Sequence, residues 1–504
     1  MRKIKIDSLL FSKNSETFKI YDSSGLVDIN RIRCDVVETS AILKSMNLLP
    51  YENIAVICDN HSCFLSALLS IVSAGAVAVP IDPQMSRSSL KEITKKFKIR
   101  YIFIFGKRAE EITSDNCHDY FFRYDNDKWI GPVDMEVSVN GGEHILPDDD
   151  PSPAIILLTS GTTELMHKGV LISHESILNN IESIIDYMRP QKTESLYIAK
   201  SLSHISSVIG ELLMALAVGM TLYIYNPVVS YSVLMKRIIE CKPDYLVVNP
   251  TLLHYLTKYA KNENELPKIK GIYTCGGFAS AALINKARNV FSSSKIYNMY
   301  GLTEAGPRVT SQTDSPLNYE AGFAGRPIKN VSVKIISDSG EACTNEEGHI
   351  LVKSNALMIG YYGDTELTST KIKDGWLFTG DIGYLNANQE LYVSGRADDV
   401  VIRSGKNINL NTVEETITEM EGIKECIVFS IPDTVHQNKI ICAYVKNDDK
   451  PIDVSMVREH CLKKLFPYEC PQQIIEWDII SKTNSNKKSR KKASELYRKT
   501  INKH

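Results

Sequence analysis

Residues 155–174 read IILLTSGTTELMHKGVLISH: an uncharged run Ile155 to Leu158, a break at Thr159, Ser160, Gly161, Thr162 and Thr163, then a second apolar run after Lys168 and Gly169. The pattern predicts strand, hydroxyl-rich loop, strand. Hydroxyls and free backbone N–H groups around a glycine, followed by a lysine, supply the donors and the charge that polyphosphate oxygens require. The stretch therefore points to a nucleotide triphosphate, although a plain polar turn has the same composition. It is not the Walker loop, because Lys168-Gly169 runs into Val170 instead of Ser or Thr.

Upstream, residues 64–81, FLSALLSIVSAGAVAVPI, carry no charge and just reach membrane-spanning length. Three serines, Gly75 and Pro80 argue for a buried helix Phe64 to Ala74, a break at Gly75 and a buried strand Val77–Val79. With a strand at Ile54–Ile57 this makes a β-α-β unit. Further strands are expected at Tyr101–Phe105, Leu222–Tyr225, Tyr245–Val248 and Gly271–Thr274, separated by amphipathic or mixed segments. Such alternation predicts an α/β domain with largely parallel sheets.

Beyond about Asp399 the character changes. Val401–Arg403, a helix over Asn411–Met420, Glu425–Pro432, Ile440–Val445, a helix from Asp453 to Leu465 and Ile474–Ile479 predict a small α+β unit. The expected division is 1–397 and 398–504. A chain of 504 residues is too long for one ordinary core, and 58 basic against 60 acidic residues give no general sign of a nucleic-acid partner. The opening MRKIKIDSLLF lacks a secretory pattern, so a cytoplasmic location without a membrane span is the expectation. The eleven cysteines are scattered, with no paired C-x-x-C. Cys58, His61 and Cys63 lack the fourth ligand of a structural zinc site.

Four further stretches carry chemistry. In YNMYGLTE (297–304), Tyr300 can cover a base, Thr303 can donate to phosphate, and Glu304 can hold magnesium, which prefers hard oxygen ligands. In GWLFTGDIG (375–383), Asp381 is suited to accept from ribose hydroxyls. GRADDVVIRSG (395–405) places Arg396 and Arg403 beside Asp398 and Asp399 at the domain junction, where an arginine can fork onto phosphate or ribose oxygens. SKTNSNKKSRKK (481–492) is a basic polar loop. An ordinary loop, a type I turn, a linker ion pair and a solvated charge run are the plain alternatives, in that order.

In their order and spacing these stretches resemble the adenylate-forming superfamily of acyl-CoA synthetases, nonribosomal-peptide adenylation domains and luciferases, from about Asn53 to Arg490. The resemblance implies a large N-terminal domain of α/β subdomains and a small mobile C-terminal α+β domain. It also implies ATP, Mg2+ and CoA, or the phosphopantetheine of a carrier protein. Thr159, Ser160, Gly161, Thr162, Thr163 and Lys168 would hold the β- and γ-phosphates. Thr303 would contact the α-phosphate and Glu304 would bind magnesium. Gly277, Phe278, Ala279, Asn298, Tyr300 and Gly301 would form the adenine side, Asp381 and Arg396 would bind the ribose, Lys487 would bridge the carboxylate and α-phosphate, and Asp398 would be the hinge.

In LSHISSVIGELLMALAVGMT (202–221), His204 followed by Gly219 is similar to the acyl- and aryl-CoA ligase pattern, and the aspartate of amino-acid-activating domains is missing. A histidine packed on an apolar helix would look the same. Ser206, Ser207, Gly210, Cys275, Gly276, Met299 and Arg308 are the remaining pocket candidates. If Arg308 faces the pocket, an extra polar or anionic substrate group follows; a solvent-facing side chain is the equal alternative. Glu164 and His167 stand where the family has Gly and Pro, and Asn486 where it has Gly before the lysine. Three readings result: a carboxylic acid–CoA ligase acting on a small aryl or acyl acid as monomer or homodimer, an adenylation enzyme loading a carrier protein, and a non-catalytic nucleotide-binding protein.

Overall fold

The charge-free stretch after Ser62 folds as the helix Cys63–Ser73, which is buried on every side. Gly75 breaks it with φ +85°, and the chain turns into the strand Val77–Pro80. No described helix is long and apolar enough to cross a membrane. This computed structural model describes residues 5–107, 109, 120–125, 127–131, 152–159, 168–226, 231–259, 267–277, 279–312, 319–320, 322–337, 340–403, 406–433, 437–447, 451–482 and 488–501.

The uncharged runs become central strands of two mixed sheets. One has the order 360–361, 168–173, 153–159, 77–80, 53–58, 101–105, 120–125, 128–130. Its inner strands are parallel, and Pro153–Thr159 and Lys168–Ser173 form an antiparallel pair at one side. The other runs 295–298, 271–274, 245–248, 195–198, 221–224, 19–22, 25–27, parallel except for the last pair. Both sheets contribute to one apolar core that holds Phe64, Leu68 and Ile71 together with Ile198, Leu213 and Leu222. Ser173 caps the helix His174–Met188 by accepting from the Ser176 N–H, fixing how the chain leaves the loop-bearing pair of strands.

A third sheet of eight strands, between Thr310 and Arg396, is antiparallel throughout and departs from the largely parallel expectation. Its long strand Trp376–Leu385 buries Leu377, Thr379, Asp381 and Gly383 while leaving the aromatic positions Trp376, Phe378 and Tyr384 half-exposed. Polar residues thus occupy the inward face, which inverts the usual alternation.

From Ile408 onward the apolar side chains build two cores of their own, one around Val413, Ile440 and Val457 and one around Phe429, Ile441 and Tyr497. The elements there match the expected α+β unit: helices Leu410–Thr418 and Val454–Lys464, and strands Ile423–Asp433, Gln437–Lys446 and Gln473–Glu476. Among the described residues no group of His, Cys, Asp and Glu forms a metal cage.

Candidate active site

In the antiparallel pair of the first sheet, Thr159 and Lys168 face each other as the last matched residues. The two ends of the hydroxyl-rich loop are therefore pinned side by side. Ser160, Gly161, Thr162 and Thr163 lie outside the described residues, as do Glu164, His167, Phe278, Asn486 and Lys487. Asp398 falls in the short turn Ala397–Asp399, and its side chain is likewise outside the description.

Gly360–Tyr361 adds to the outer edge of Lys168–Ser173. This brings the Lys168 ammonium to 5.5 Å from the Tyr361 ring centre, while the Tyr361 hydroxyl donates to Glu304 Oε1 at 2.9 Å. Burial first, and then the Glu304 carboxylate, raise the Tyr361 phenol, which keeps it a donor. The cation at the loop exit and the candidate metal-binding carboxylate are thus joined through one tyrosine.

The YGLTEAGP turn is built around Gly301 and Gly306. A Cβ on Gly301 would sit 2.2 Å from the Pro307 carbonyl oxygen, so only glycine fits that approach. Val309 and Thr310 both donate to the Tyr300 carbonyl, and Glu304 accepts on its own carbonyl from the Met358 N–H. Half-buried Thr303 and Glu304 stand on the single turn Thr303–Ala305. Asp381 and Arg396 are opposite each other on adjacent strands. The Tyr300 hydroxyl donates to Asp381 Oδ2 at 2.6 Å, and Arg396 Nη1 donates to Oδ1 at 3.0 Å. Burial raises the Asp381 carboxyl, an effect Arg396 and Tyr300 partly offset.

Other candidates are placed more structurally. Asn298 Nδ2 donates to the Tyr319 hydroxyl at 2.6 Å and its backbone N–H donates to Gln312 Oε1 at 3.3 Å, tying its strand to the segment that follows the turn. Ala279 is packed in an apolar cluster and Met299 in the main core, while Gly276 and Gly277 are exposed beside the end of strand Gly271–Thr274.

His204 is exposed at the start of a wide helical segment in which Ser206–Leu213 is π-helical, a geometry found often at functional sites. Ser207, Gly210 and Cys275 are buried beneath it. Arg308 faces inward: it is 3 % exposed, and Nη2 donates to Glu211 Oε1 at 2.6 Å. Gly210 makes room for it, since a Cβ there would lie 3.3 Å from Nη2. Lys200 and Glu211 were not among the sequence candidates. Lys200 Nζ donates to Ser206 Oγ at 2.6 Å and to Cys275 Sγ at 3.0 Å, and stands 3.7 Å from Glu211 Oε2. A single acidic residue inside the apolar run 205–218 was the available signal for Glu211.

A family model for AMP-binding enzymes matches residues 30–362, and one for the AMP-binding enzyme C-terminal domain matches residues 412–487. The chain is 24 % identical over 483 residues to 4-coumarate–CoA ligase 2 of Nicotiana tabacum, covering 90 % of this chain and 86 % of that one. It is 24 % identical over 466 residues to the long-chain-fatty-acid–CoA ligase FadD13 of Mycobacterium tuberculosis, covering 91 % of each. Its fold superposes on the O-succinylbenzoate coenzyme A synthetase of Bacillus subtilis in complex with AMP with a TM-score of 0.80 at 20 % identity, over 97 % of this chain and 98 % of that one. With residues 30–362 and 412–487 matched by these two models, the chain belongs to the AMP-binding enzymes, the adenylate-forming superfamily.

Proposed function

We propose that this enzyme joins a carboxylic acid to ATP as an acyl-adenylate, releasing pyrophosphate, and then transfers the acyl group to the thiol of CoA. The observation that carries the reading is a pair of contact chains, Lys168–Tyr361–Glu304 and Tyr300–Asp381–Arg396, which start from one short turn holding Tyr300 and Glu304 and together span more than two hundred positions. In the first step a carboxylate oxygen attacks the α-phosphorus as the bond to the bridging oxygen breaks. In the second the sulfur attacks the acyl carbon and AMP leaves. Both reactants of the first step are anions, so fixed positive charge and donors lower its barrier.

In this reading Lys168 and the hydroxyls of Thr159, Ser160, Thr162 and Thr163 hold the β- and γ-phosphates, Thr303 meets the α-phosphate, and Lys487 bridges it to the carboxylate. Asp381 accepts from the ribose hydroxyls, with Arg396 beside it and Tyr300 holding the carboxylate in place. Glu304 offers hard carboxylate oxygen and fits Mg2+, which when bound neutralises phosphate charge. The separate cores support a division at 397/398, with Asp398 as the pivot of the smaller unit.

Asp381→Asn is expected to raise the KM for ATP about 10- to 100-fold, the effect of losing one charge-assisted hydrogen bond of about 1.5–3 kcal/mol. An unchanged KM would remove Asp381 from the ribose site. Glu164→Gly is expected to lower the KM for ATP roughly fivefold, because a carboxylate beside a polyphosphate costs about 1 kcal/mol. Steady-state kinetics with varied ATP reads both. The function itself is tested by screening a carboxylic-acid panel for acid-dependent pyrophosphate release, with CoA and a phosphopantetheinylated carrier protein compared as acceptors.

A further inference from the structure

The polar cluster beneath the π-helical segment is one negative charge short. Lys200 and Arg308 contribute two positive charges and Glu211 one negative, and their exposures are 7 %, 3 % and 1 %. Glu211 is divided between the two cations, with Oε1 on Arg308 at 2.6 Å and Oε2 at 3.7 Å from Lys200. The hydrogen-bond partners of Lys200 Nζ are Ser206 Oγ and Cys275 Sγ, neither of them a carboxylate. Beside them the buried Ser207 Oγ, Thr274 Oγ1 and Arg308 Nε, and the acceptor Glu211 Oε2, have no hydrogen-bond partner among the described residues. Buried charges are normally paired and buried donors satisfied, so the excess positive charge and the free donors Ser207 Oγ, Thr274 Oγ1 and Arg308 Nε suit an anionic oxygen ligand.

Its location agrees. Lys200 and Cys275 come just after the ends of the parallel strands Ser195–Ile198 and Gly271–Thr274, the side of an open α/β sheet on which ligands bind. A cavity of about 10 Å³, room for roughly one water molecule, adjoins the Glu211 and Arg308 side of the cluster, lined also by Tyr187, Gly210 and Met214. Exposed His204 stands at the start of the same helical segment.

We propose that the acid this enzyme takes is a short dicarboxylic acid, with Lys200 pairing its second carboxylate and so determining specificity. The proposal rests on the acid-activation reading, and binding is its primary readout. Full-length chain saturated with a non-hydrolysable ATP analogue is titrated calorimetrically with succinate, glutarate and adipate, and with butanoate, pentanoate and hexanoate as length-matched monoacids. At least one diacid is expected to bind ten-fold or more tightly than its monoacid. Lys200→Met is expected to bring the pair within two-fold of each other, leaving the affinities for the monoacid and for the ATP analogue unchanged. That unchanged analogue affinity shows that the variant is folded.

No diacid binding more tightly than its monoacid, or a preference that survives in Lys200→Met, would overturn the proposal. An ionised Cys275, which would neutralise the cluster without a ligand, predicts the first of these results. A diacid that binds as expected yet releases no pyrophosphate would count against the acid-activation reading instead, leaving the Lys200 assignment standing.

Discussion

Glu211→Ala is expected to lower the stability of the large domain by about 3–5 kcal/mol, the cost of leaving a buried ion pair without one partner. The variant strands Arg308 and Lys200 together in the interior with no counter-charge. Glu211→Met combined with Arg308→Met should recover most of the loss, because the pair is replaced by apolar side chains of similar length and only Lys200 remains charged. The urea midpoint of the transition reporting on the large domain reads the difference. A Glu211→Ala midpoint close to that of the unchanged chain would mean that the pair is not held in the interior.

The second large effect is on the chemistry. Lys487→Ala is expected to reduce the rate of acid-dependent pyrophosphate release by about 10²- to 10³-fold, the usual consequence of removing one pre-positioned charge from a step in which anions meet. The neighbouring lysine supplies the control. Lys488 Nζ is bound to Glu414 Oε1 at 2.5 Å, and Lys488 pairs with Lys482 across the base of the loop. Lys488 is therefore engaged inside the small domain, and Lys488→Ala should act on loop anchoring and stability. Equal losses in adenylation rate from both substitutions, at equal stability, would contradict the assignment of Lys487.

What could be read from the sequence follows the physics of each part. Runs such as Ile54–Ile57 and Tyr245–Val248 are uncharged because both faces of a central parallel strand are covered, and their positions were legible to within a residue or two. The helix Cys63–Ser73 was legible for the same reason, with Gly75 marking its end. The antiparallel sheet was not. In Trp376–Leu385 the inward positions carry Thr379, Asp381 and Gly383, since that face serves the site as well as the core, so hydropathy gives no dependable strand pattern.

Within the candidate site, Tyr300, Glu304, Asp381, Arg396 and Lys168 could be picked out from their motifs, but the contacts between their side chains could not. Tyr361 joins Lys168 to Glu304 only because a two-residue strand pairs at the edge of the loop-bearing hairpin, a pairing with no local signature. Arg308 was a candidate with two directions open, and its burial against Glu211, 97 positions away, settles it inward. Lys200 stands two residues beyond the strand Ser195–Ile198 and resembles a solvent-facing lysine until Ser206, Cys275 and Glu211 are seen around it.

This chain makes an acyl-adenylate and passes the acyl group to a thiol. The most direct measurement incubates the full chain with ATP, Mg2+, CoA and a panel of mono- and dicarboxylic acids, and follows adenylate and thioester by mass. The account predicts that at least one acid gives pyrophosphate and a mass-verified acyl-AMP, converted to the acyl-CoA when CoA is present. ATP binding without pyrophosphate, adenylate or thioester from any acid of a broad panel would contradict it.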